Sequence, residues 1–522
     1  MRNSIKRLYT ISFLFSIILY QTFSCKPSDG VQVSDGEKVN VKFSITGILE
    51  EPVSTIASVS GGIGSNNNTL ISKSTIEGKD FIIEGSIGNS DNNEHIKSKI
   101  KQAATYTPIP PGIRVRLLIY EIAADGSEIF KSNLGVPVQQ DFFAITLEKN
   151  RNYKFYAYSY NSFTTYPPSP ANENNPVIIT ANDNALIYAG GSIALLNDPV
   201  HVNVIFRHVT SRISVGVDAQ SYFADEITAI NINLNNVPLT THNLDLRTGN
   251  LVGNVQTTIN SNLSFDFASF ENSPAKMLSQ NRLYTSTTLS GYSYTINSLE
   301  VRKNGVNEVL ISNDNPRSIT VSGFSGPLTT VYFSRNYIYP AVNIGNNSWA
   351  KGNLYYDSGS ELSADKRYRF AEPMTTKNEE ECNYYFSWNS LLPRSEGSSS
   401  AGDPCSLVYP VGKWKTPSED DYQTLIANST LSNEGDGAVK FTNISAAQPL
   451  IFHQAGWLFG LGCISATNDT DGQYWTTSEE DFLGVNYGRI FEIGNESSGP
   501  RAKFDRESKT LIGASIRCVR VK

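Results

Sequence analysis

The sequence predicts a mainly β protein in which two β-sandwich blocks are followed by an α+β block. The 522 residues include 26 Tyr and 25 Phe together with abundant Thr, Asn, Ser and Gly, and these residue types favour strands and the turns that join them. Short segments that alternate apolar and polar residues recur between turn residues, without helical periodicity. All five tryptophans and four of the five cysteines lie beyond residue 342, which indicates a last block of a different kind.

The first 24 residues have the pattern of a signal peptide. Arg2, Lys6 and Arg7 precede an apolar run over residues 8–20, which is too short and too close to the N-terminus for an ordinary membrane span. The run ends before Cys25, and this region resembles the bacterial lipoprotein lipobox, although Thr22 stands where that motif prefers Leu. The resemblance implies lipidation of Cys25, with residues 25–36 as a tether to the membrane. The alternative is an ordinary secretory signal that leaves Cys25 as a stray thiol.

The charge of the chain excludes one class of partner. The net charge is −7, and charged residues make up only 18% of the sequence. A nucleic-acid-binding protein needs a concentrated positive surface, and no long basic run supplies one. Nucleic acid is therefore not an expected partner. Beyond the signal-like start, no stretch is apolar enough to predict a membrane-spanning helix.

The first sandwich block is predicted over residues 37–198. Residues 41–45 and 115–120 have the pattern of strands, and Asp125-Gly126 indicates a tight turn. Residues 153–160 predict a strand in which Tyr153, Phe155, Ala157 and Ser159 share one face and Lys154, Tyr156, Tyr158 and Tyr160 share the other.

The second sandwich block is predicted over residues 199–342. The composition shifts near Asn197-Asp198-Pro199, and residues 200–206 begin a new series of alternating segments. Residues 213–217 and 227–234 continue the series, which ends near Pro340. Strands at this short spacing predict a sandwich rather than a helical or α/β fold.

The last block is predicted over residues 343–522 and contains the one convincing helix, at residues 416–426. Thr416 is predicted as its N-cap and Pro417 as its first residue, with acidic residues in the first turn. Tyr422, Leu425 and Ile426 then lie on one face. Because strand patterns follow near the C-terminus, this block is predicted to be α+β.

The four late cysteines predict two disulfides. Cys382, Cys405, Cys463 and Cys518 are confined to the last block, and disulfides are the usual state of such cysteines outside the cytoplasm. Three pairings are open, of which Cys405–Cys518 is favoured because both residues flank core elements. A zinc site is the competing interpretation, but no two cysteines have the short spacing that zinc sites usually show.

The first two blocks resemble the fimbrillin-like proteins of Bacteroides-type bacteria over about residues 37–340. The motifs that carry the resemblance are Arg116-Leu117-Leu118-Ile119-Tyr120, residues 153–161 and residues 204–213. The resemblance implies two transthyretin-like sandwiches, a lipoprotein precursor and a role in a pilus or at the cell surface. Some members of that family polymerise by strand addition between subunits.

The last block resembles the domain family first described as the Fibrobacter major paralogous domain. Its motifs are residues 349–356, Asp403-Pro404-Cys405, residues 409–418, residues 474–479 and residues 515–520. The family commonly has Arg-Leu-Pro where Lys415-Thr416-Pro417 stands. The resemblance implies a fold similar to C-type lectins and formylglycine-generating proteins, which hosts both binding and catalysis.

No constellation of residues predicts catalysis, a cofactor or a metal site. The five histidines have neither His-x3-His nor His-Glu-x-x-His spacing, and no Gly-x-Ser-x-Gly motif is present. Asp469-Thr470-Asp471-Gly472 lacks the acids of a calcium loop at the flanking positions. The aromatic residues suit either a binding surface or an ordinary core, and the sequence does not separate the two.

Together these patterns predict a lipid-anchored protein of the outer membrane or cell surface that is not an enzyme. The order of tether, sandwiches and a distinct last block favours an adhesin or a fimbrial accessory or tip subunit, with residues 343–522 presented for binding. The expected partners are other pilus subunits, or glycans or proteins of host or bacterial surfaces. The alternatives are a membrane-bound pilus anchor and, in the last block, a formylglycine-type enzyme.

Overall fold

The computed structural model describes the body of the chain from residue 37 to residue 521, with internal gaps. The described residues are 37–50, 72–78, 80–89, 105–139, 142–195, 198–235, 237–260, 263–280, 283–289, 291–322, 331–359, 364–371, 382–396, 400–435, 438–446, 448–459, 465–466 and 471–521. The predicted signal peptide, the predicted tether with Cys25, and Cys463 lie outside these residues.

The first part of the chain is built of strands. In chain order they are β1 Lys38–Glu50, β2 Ser72–Glu77, β3 Ile82–Asn89, β4 Thr105–Thr107, β5 Arg114–Ile122, β6 Glu128–Pro137, β7 Phe143–Glu148, β8 Asn152–Ser159, β9 Val177–Ile179, β10 Ile187–Ala194 and β11 Val200–His208.

Eight of these strands form the first sheet, in the order β4-β1-β11-β10-β8-β5-β6, with β7 also paired to β1. One face of the sheet forms an apolar cluster that includes Phe43, Leu117, Phe155 and Phe206. The two-faced pattern predicted for residues 153–160 is confirmed, because β8 contributes Tyr153, Phe155 and Ala157 to this cluster and Tyr156 and Tyr158 to a separate one. Both faces of β8 are thus buried, which explains why aromatic residues occupy both.

The middle of the chain is also built of strands, with one 3₁₀ turn at Gln220–Tyr222. In chain order the strands are β12 Ser211–Asp218, β13 Glu226–Asn235, β14 Val237–Asp245, β15 Asn250–Asn260, β16 Leu263–Ser264, β17 Phe267–Phe270, β18 Ser273–Ser279, β19 Leu283–Thr285, β20 Gly291–Lys303, β21 Val306–Ile311, β22 Arg317–Ser322 and β23 Val331–Tyr339.

Two sheets enclose the second core. A seven-stranded sheet has the order β17-β18-β12-β23-β3-β2, with β19 paired to β12, and a five-stranded sheet contains β16, β13, β20, β21 and β22. Side chains from both sheets, among them Ile83, Val215, Ile232, Tyr294 and Ile338, form one buried cluster. This is the layered arrangement of a β-sandwich.

The sheets do not follow the boundary that composition indicated at residues 198/199. Strand β11 lies after that boundary, yet it pairs in parallel with β1, with Val41 opposite Val200. Strands β2 and β3 lie far before it, yet β3 pairs with β23 in the second sandwich, with Ile83 opposite Ile338. Composition cannot locate such pairings, because strands that are distant in the sequence need no turn signal between them. Independent folding of residues 37–198, 199–342 and 343–522 stays a prediction.

A third sheet also joins the first two blocks. It contains β15, β14 and β9, and β9 pairs with β14. The outer face of the first sheet packs on this sheet through a second apolar cluster, which includes Tyr120, Tyr158, Tyr188 and Leu244.

The last block combines short strands with little helix. Its strands are β24 Ala341–Ile344, β25 Asn347–Ala350, β26 Leu354–Tyr356, β27 Tyr368–Phe370, β28 Trp414–Lys415, β29 Ser429–Asn433, β30 Val439–Asn443, β31 Pro449–Phe452, β32 Trp457–Phe459, β33 Ser465–Ala466, β34 Asp471–Phe482, β35 Val485–Glu496, β36 Gly499–Glu507, β37 Ile512–Gly513 and β38 Val519–Arg520. Its helices are α1 Ala364–Arg367 and α2 Glu419–Ala427, with 3₁₀ turns at Cys382–Tyr384, Arg394–Glu396 and Pro404–Leu407.

Helix α2 is the helix that the sequence predicts, but its N-cap is Ser418 rather than Thr416. The Ser418 hydroxyl accepts a hydrogen bond from the Asp421 amide, and the Asp421 carboxylate accepts one from the Ser418 amide, which is a capping box. The helix begins at Glu419, so Thr416 lies two residues before the cap, and its hydroxyl instead donates to Asp403 Oδ1 (2.7 Å). Pro417 therefore precedes the cap. Neither α1 nor α2 has the length and hydropathy to cross a membrane, and the same holds for every helix in the described ranges.

Candidate functional site in the last block

The core of the last block is closed by a disulfide between Cys405 and Cys518. The two Cα atoms are 5.8 Å apart, and both residues are fully buried. This confirms the favoured pairing and joins two motifs that lie 113 positions apart in the sequence. Cys382 is also disulfide-bonded, and its partner lies outside the described residues.

The Asp403-Pro404-Cys405 motif holds its loop in place through the Asp403 carboxylate. Asp403 Oδ1 accepts hydrogen bonds from the Cys405 amide (3.0 Å) and the Thr416 hydroxyl (2.7 Å). Asp403 Oδ2 accepts one from the Thr416 amide (3.0 Å). Asp403 thereby links the disulfide loop to the segment that leads into α2, which gives two of the predicted motifs a common structural role.

Gly352 in the motif 349–356 is required by a close backbone approach. A Cβ atom at this position would overlap the carbonyl oxygen of Ala371, which is main chain and cannot rotate away. The approach sets Leu354–Tyr356 beside its partner strand, Tyr368–Phe370.

The tryptophans of the last block belong mainly to the core. Trp349, Trp414 and Trp475 are at most 1% exposed, so they cannot offer their faces to a ligand. Trp388 and Trp457 are half-buried. For the three buried rings, the structure favours the core interpretation that the sequence left open.

A buried arginine, Arg517, occupies the centre of this core. Its guanidinium donates to the carbonyl oxygens of Ala350 (3.3 Å), Lys351 and Ile451 (2.9 Å), and it lies 4.7 Å from the centroid of the Phe452 ring. Burial lowers the pKa of Arg517. The arginine holds three chain segments together and lies too deep to meet a partner.

A buried ion pair attaches the last block to the second sandwich. Arg520 donates to Glu84 Oε2 (2.5 Å), and the two side chains are 4% and 7% exposed. The Arg520 guanidinium also lies 3.7 Å from the centroid of the Tyr339 ring. Burial, the largest effect, raises the pKa of Tyr339 well above its ordinary value, so this ring remains neutral beneath the cation.

A second attachment is centred on Asp218, which is fully buried at the end of β12. Its Oδ2 accepts hydrogen bonds from the Tyr409 hydroxyl (2.7 Å) and from Arg335 (2.9 Å). Burial, followed by the Asp218 carboxylate, raises the pKa of Tyr409 far above the ordinary range. Lys276 Nζ and Arg335 both bind Glu271, at 2.8 and 3.3 Å.

The two attachments fix the orientation of the last block. Tyr339 and Ile82, which belong to the sandwich sheet, are members of the core cluster of the last block. The block is thus joined to the second sandwich by a shared hydrophobic core as well as by hydrogen bonds, and not only by the covalent chain.

The antiparallel three-stranded sheet β34-β35-β36 carries the most exposed large apolar side chain among the described residues of the block, Leu483. The turn between β34 and β35 places Phe482, Leu483 and Val485 at 40%, 88% and 51% exposure. Leu483 has a positive φ of 54° and Gly484 one of 78°, as a tight hairpin turn requires. We call residues 482–485 the hairpin tip.

Paired charges flank the hairpin tip. Arg506 binds Glu480 (2.9 Å), and its guanidinium lies 3.6 Å from the centroid of the Phe482 ring. Arg489 binds Glu480 (2.7 Å) and Glu419 (3.0 Å), and hydrogen bonding to Glu419 raises its pKa. These ion pairs hold β34, β35 and β36 beside one another. The apolar side chains of the hairpin tip lie at the end of this sheet.

Within the described residues, no group of three or more His, Cys, Asp or Glu side chains could hold a metal ion. Sequence reasoning missed the structural role of four residues that attach the last block to the second sandwich, namely Glu84, Asp218, Tyr409 and Arg520. It also missed the hairpin tip, because Leu483-Gly484 is not one of the residue pairs that typically signal a two-residue hairpin turn.

Comparison with known proteins gave similar structures but no family. No protein-family model matches the chain, and no curated protein matches it. Solved structures align with it at low identity. One is a candidate cell adhesion protein of Bacteroides fragilis, with a TM-score of 0.32 and 11% identity over 66% of this chain and 99% of that chain.

Two fimbrial proteins are among the other similar structures. The fimbrial anchor protein Mfa2 of Porphyromonas gingivalis has a TM-score of 0.20 and 15% identity over 40% of this chain and 78% of that chain. A fimbrial assembly protein of Parabacteroides distasonis has a TM-score of 0.23 and 11% identity over 45% of this chain and 84% of that chain. Similarity at this level assigns the chain to no family.

Proposed function

We propose that this chain is a cell-surface adhesin or fimbrial accessory or tip subunit, with residues 343–522 presented for binding. The observation that carries the proposal is the fixed attachment of the last block through Arg520–Glu84 and Asp218. A block held rigidly on a body can present a surface in a defined direction, and binding to a pre-organised surface loses less entropy.

The finer parts of the proposal rest on the sequence motifs. The first two blocks are proposed to be transthyretin-like sandwiches, and the last block is proposed to have a fold similar to C-type lectins and formylglycine-generating proteins. Cys25 is the proposed lipidation site, which would hold the protein at the outer membrane. The proposed partners are pilus subunits, or glycans or proteins of host or bacterial surfaces. The proposal includes no enzymatic activity.

The hairpin tip is the proposed contact surface. Exposed apolar residues that are grouped together are a common mark of an interaction site, and Leu483 is the most exposed large apolar residue among those described. A hairpin held by paired charges places such a contact on a rigid support.

Immunogold microscopy tests where the protein acts. An epitope tag inserted between Ser497 and Ser498, in the exposed turn between β35 and β36, marks the last block on cells that carry wild-type Cys25 or Cys25→Ala. Label at the ends of surface fibres would support a tip subunit. Label confined to the membrane, together with no binding on a glycan array or to host proteins, would refute the proposal and favour the anchor alternative.

Variants of the hairpin tip test the contact surface. Leu483→Ser should reduce adhesion of cells without lowering the melting temperature. Leu511→Ser is the matched control, because Leu511 is an exposed apolar residue (45%) of the same block outside the tip. Equal adhesion of the two variants and wild type would exclude the tip as the contact surface.

A further inference from the structure

A second candidate site lies in the body of the protein, where the first sheet meets the turn between β14 and β15. A groove of about 390 Å³ is lined there by Lys154, Gly190, Ser192, Arg207, Arg247 and Thr248, among others. A cavity of about 440 Å³ adjoins it and shares Arg207. We call the two together the junction groove. Their volumes fall in the range of small-molecule sites in proteins.

The junction groove is positively charged. Lys154 Nζ and Arg247 Nε bind the two oxygens of one carboxylate, Glu128, at 2.9 and 3.1 Å. Arg207 donates to the neutral carbonyl oxygen of Gly249 (3.1 Å), and no described carboxylate lies within salt-bridge distance of it. Two of the three cations are therefore paired with Glu128, and Arg207 is the third.

A second carboxylate, Asp245, caps the turn next to the groove. Its oxygens accept hydrogen bonds from the Arg247 amide (2.9 Å) and the Thr248 hydroxyl (3.1 Å). With both carboxylates counted, the site keeps an excess of positive charge, and Arg207 is its most available cation because its side chain is exposed.

The walls of the groove are held in place before any ligand binds. The Tyr188 hydroxyl donates to the carbonyl oxygen of Leu246 (2.7 Å), which ties the first sheet to the turn. Burial, the largest effect, raises the pKa of Tyr188 to about 12, so this hydroxyl remains a donor at neutral pH. Gly191 has no room for a side chain, because a Cβ atom would lie 2.8 Å from Phe155 Cε1. The Tyr188 hydrogen bond therefore fixes one wall of the groove to the turn.

The adjoining cavity is rich in hydroxyl groups. Ser286, Thr287 and Thr288 line it together with Asn250 and His242. His242 Nδ1 lies 2.6 Å from Ser286 Oγ, and the Thr240 hydroxyl lies 2.8 Å from that of Thr287. Such hydroxyls both donate and accept hydrogen bonds, as the hydroxyls of a sugar do.

We propose that the junction groove binds an acidic saccharide, with a carboxylate or sulfate group at Arg207 and the sugar hydroxyls in the adjoining cavity. A guanidinium can bind such an oxyanion through two parallel hydrogen bonds, and the neighbouring Lys154 and Arg247 add to the attraction. The site is separate from the hairpin tip, so it does not depend on the function proposed for the last block.

Titration calorimetry on the purified full chain tests the proposal. The probes are a chondroitin sulfate tetrasaccharide and neutral cellotetraose, with sodium sulfate as a competitor. The chondroitin sulfate tetrasaccharide should bind, with an affinity that falls as salt is added, and cellotetraose should not bind. Arg207→Gln should weaken binding about tenfold or more, since a hydrogen bond to a charged group is lost.

Arg317→Gln is the matched control, because Arg317 lies on β22, away from the groove, and it should bind as wild type does. Lys154→Met is a second groove variant, and thermal melts verify the fold of each. The proposal is overturned by equal binding of the two saccharides, by no binding of the acidic one, or by wild-type affinity in both groove variants. Competition by sodium sulfate at the concentration of the tetrasaccharide would assign the site to a free anion and would also overturn it.

Discussion

Replacement of Glu84 by Gln is expected to destabilise the last block, although Glu84 lies near the start of the chain. Its partner Arg520 is 436 positions away in the sequence. The substitution keeps the size of the side chain but removes its charge, so the Arg520 guanidinium is left buried opposite a neutral amide.

The burial of both partners sets the size of the effect. At 7% and 4% exposure, neither side chain can exchange its partner for water, and removing one member of such a pair typically costs about 3–5 kcal/mol of folding free energy. The matched control is Asp80→Asn, which removes the Lys351–Asp80 pair at the rim of the same interface. Its side chains are 36% and 32% exposed, so about 0–1 kcal/mol is expected.

Urea unfolding followed by tryptophan fluorescence measures this effect, because all five tryptophans lie in the last block. Glu84→Gln should lower the midpoint far more than Asp80→Asn does. In a double-mutant cycle with Arg520→Met, the double variant should be more stable than the sum of the single effects predicts. Equal effects of Glu84→Gln and Asp80→Asn, or strict additivity in the cycle, would refute the view that this pair attaches the block.

Four further outcomes are expected. Cys405→Ser should cost about 5 kcal/mol, because it opens a loop of 113 positions, and non-reducing peptide mapping of wild type should recover the predicted bond. Gly352→Ala should cost about 1–3 kcal/mol or more through overpacking against main chain, seen as a lower melting temperature. Ser418→Ala should cost about 1 kcal/mol through loss of the helix cap, measured by denaturant unfolding. Burial acts to raise the pKa of Glu271, but Lys276 and Arg335 lower this pKa below its ordinary value of 4.5. The charged Glu271 therefore stabilises the fold above pH 4.5, and this stabilisation is lost as the pH falls through the pKa of the folded state. Glu271→Gln should therefore be less stable at neutral pH and lose less stability on acidification below about pH 4.5, and an unchanged acid profile would contradict this.

Local features of the fold could be predicted from the sequence because they depend on neighbours in the chain. The alternation in residues 153–160 predicts a strand whichever strands lie beside it, and the acidic first turn of α2 predicts a helix start within two residues of its true cap, Ser418. The pairing of Cys405 with Cys518 could be favoured because both lie beside core segments.

The attachment of the last block could not be predicted, because its partners are distant in the sequence. The sequence around Glu84 predicts a strand, but it does not indicate that the distant Arg520 will pair with the Glu84 carboxylate. Asp218 ends a strand, where an acid is usually solvated, and only the fold brings Tyr409 to it. Strands Lys38–Glu50 and Val200–His208 pair in parallel, and no turn residues in the sequence mark such a pairing. The composition therefore predicted a domain boundary between these two strands.

The pairing of β3 with β23 also constrains the order in which the chain can fold. Strand Ile82–Asn89 is synthesised early, but its partner Val331–Tyr339 follows only after most of the second sandwich. Until then β3 can pair with β2 on one edge and has an open edge on the other, and an unpaired edge is prone to aggregation. Contacts between such distant segments also slow folding. The hairpin of β2 and β3 is therefore expected to keep one open strand edge until β23 becomes available to cover it.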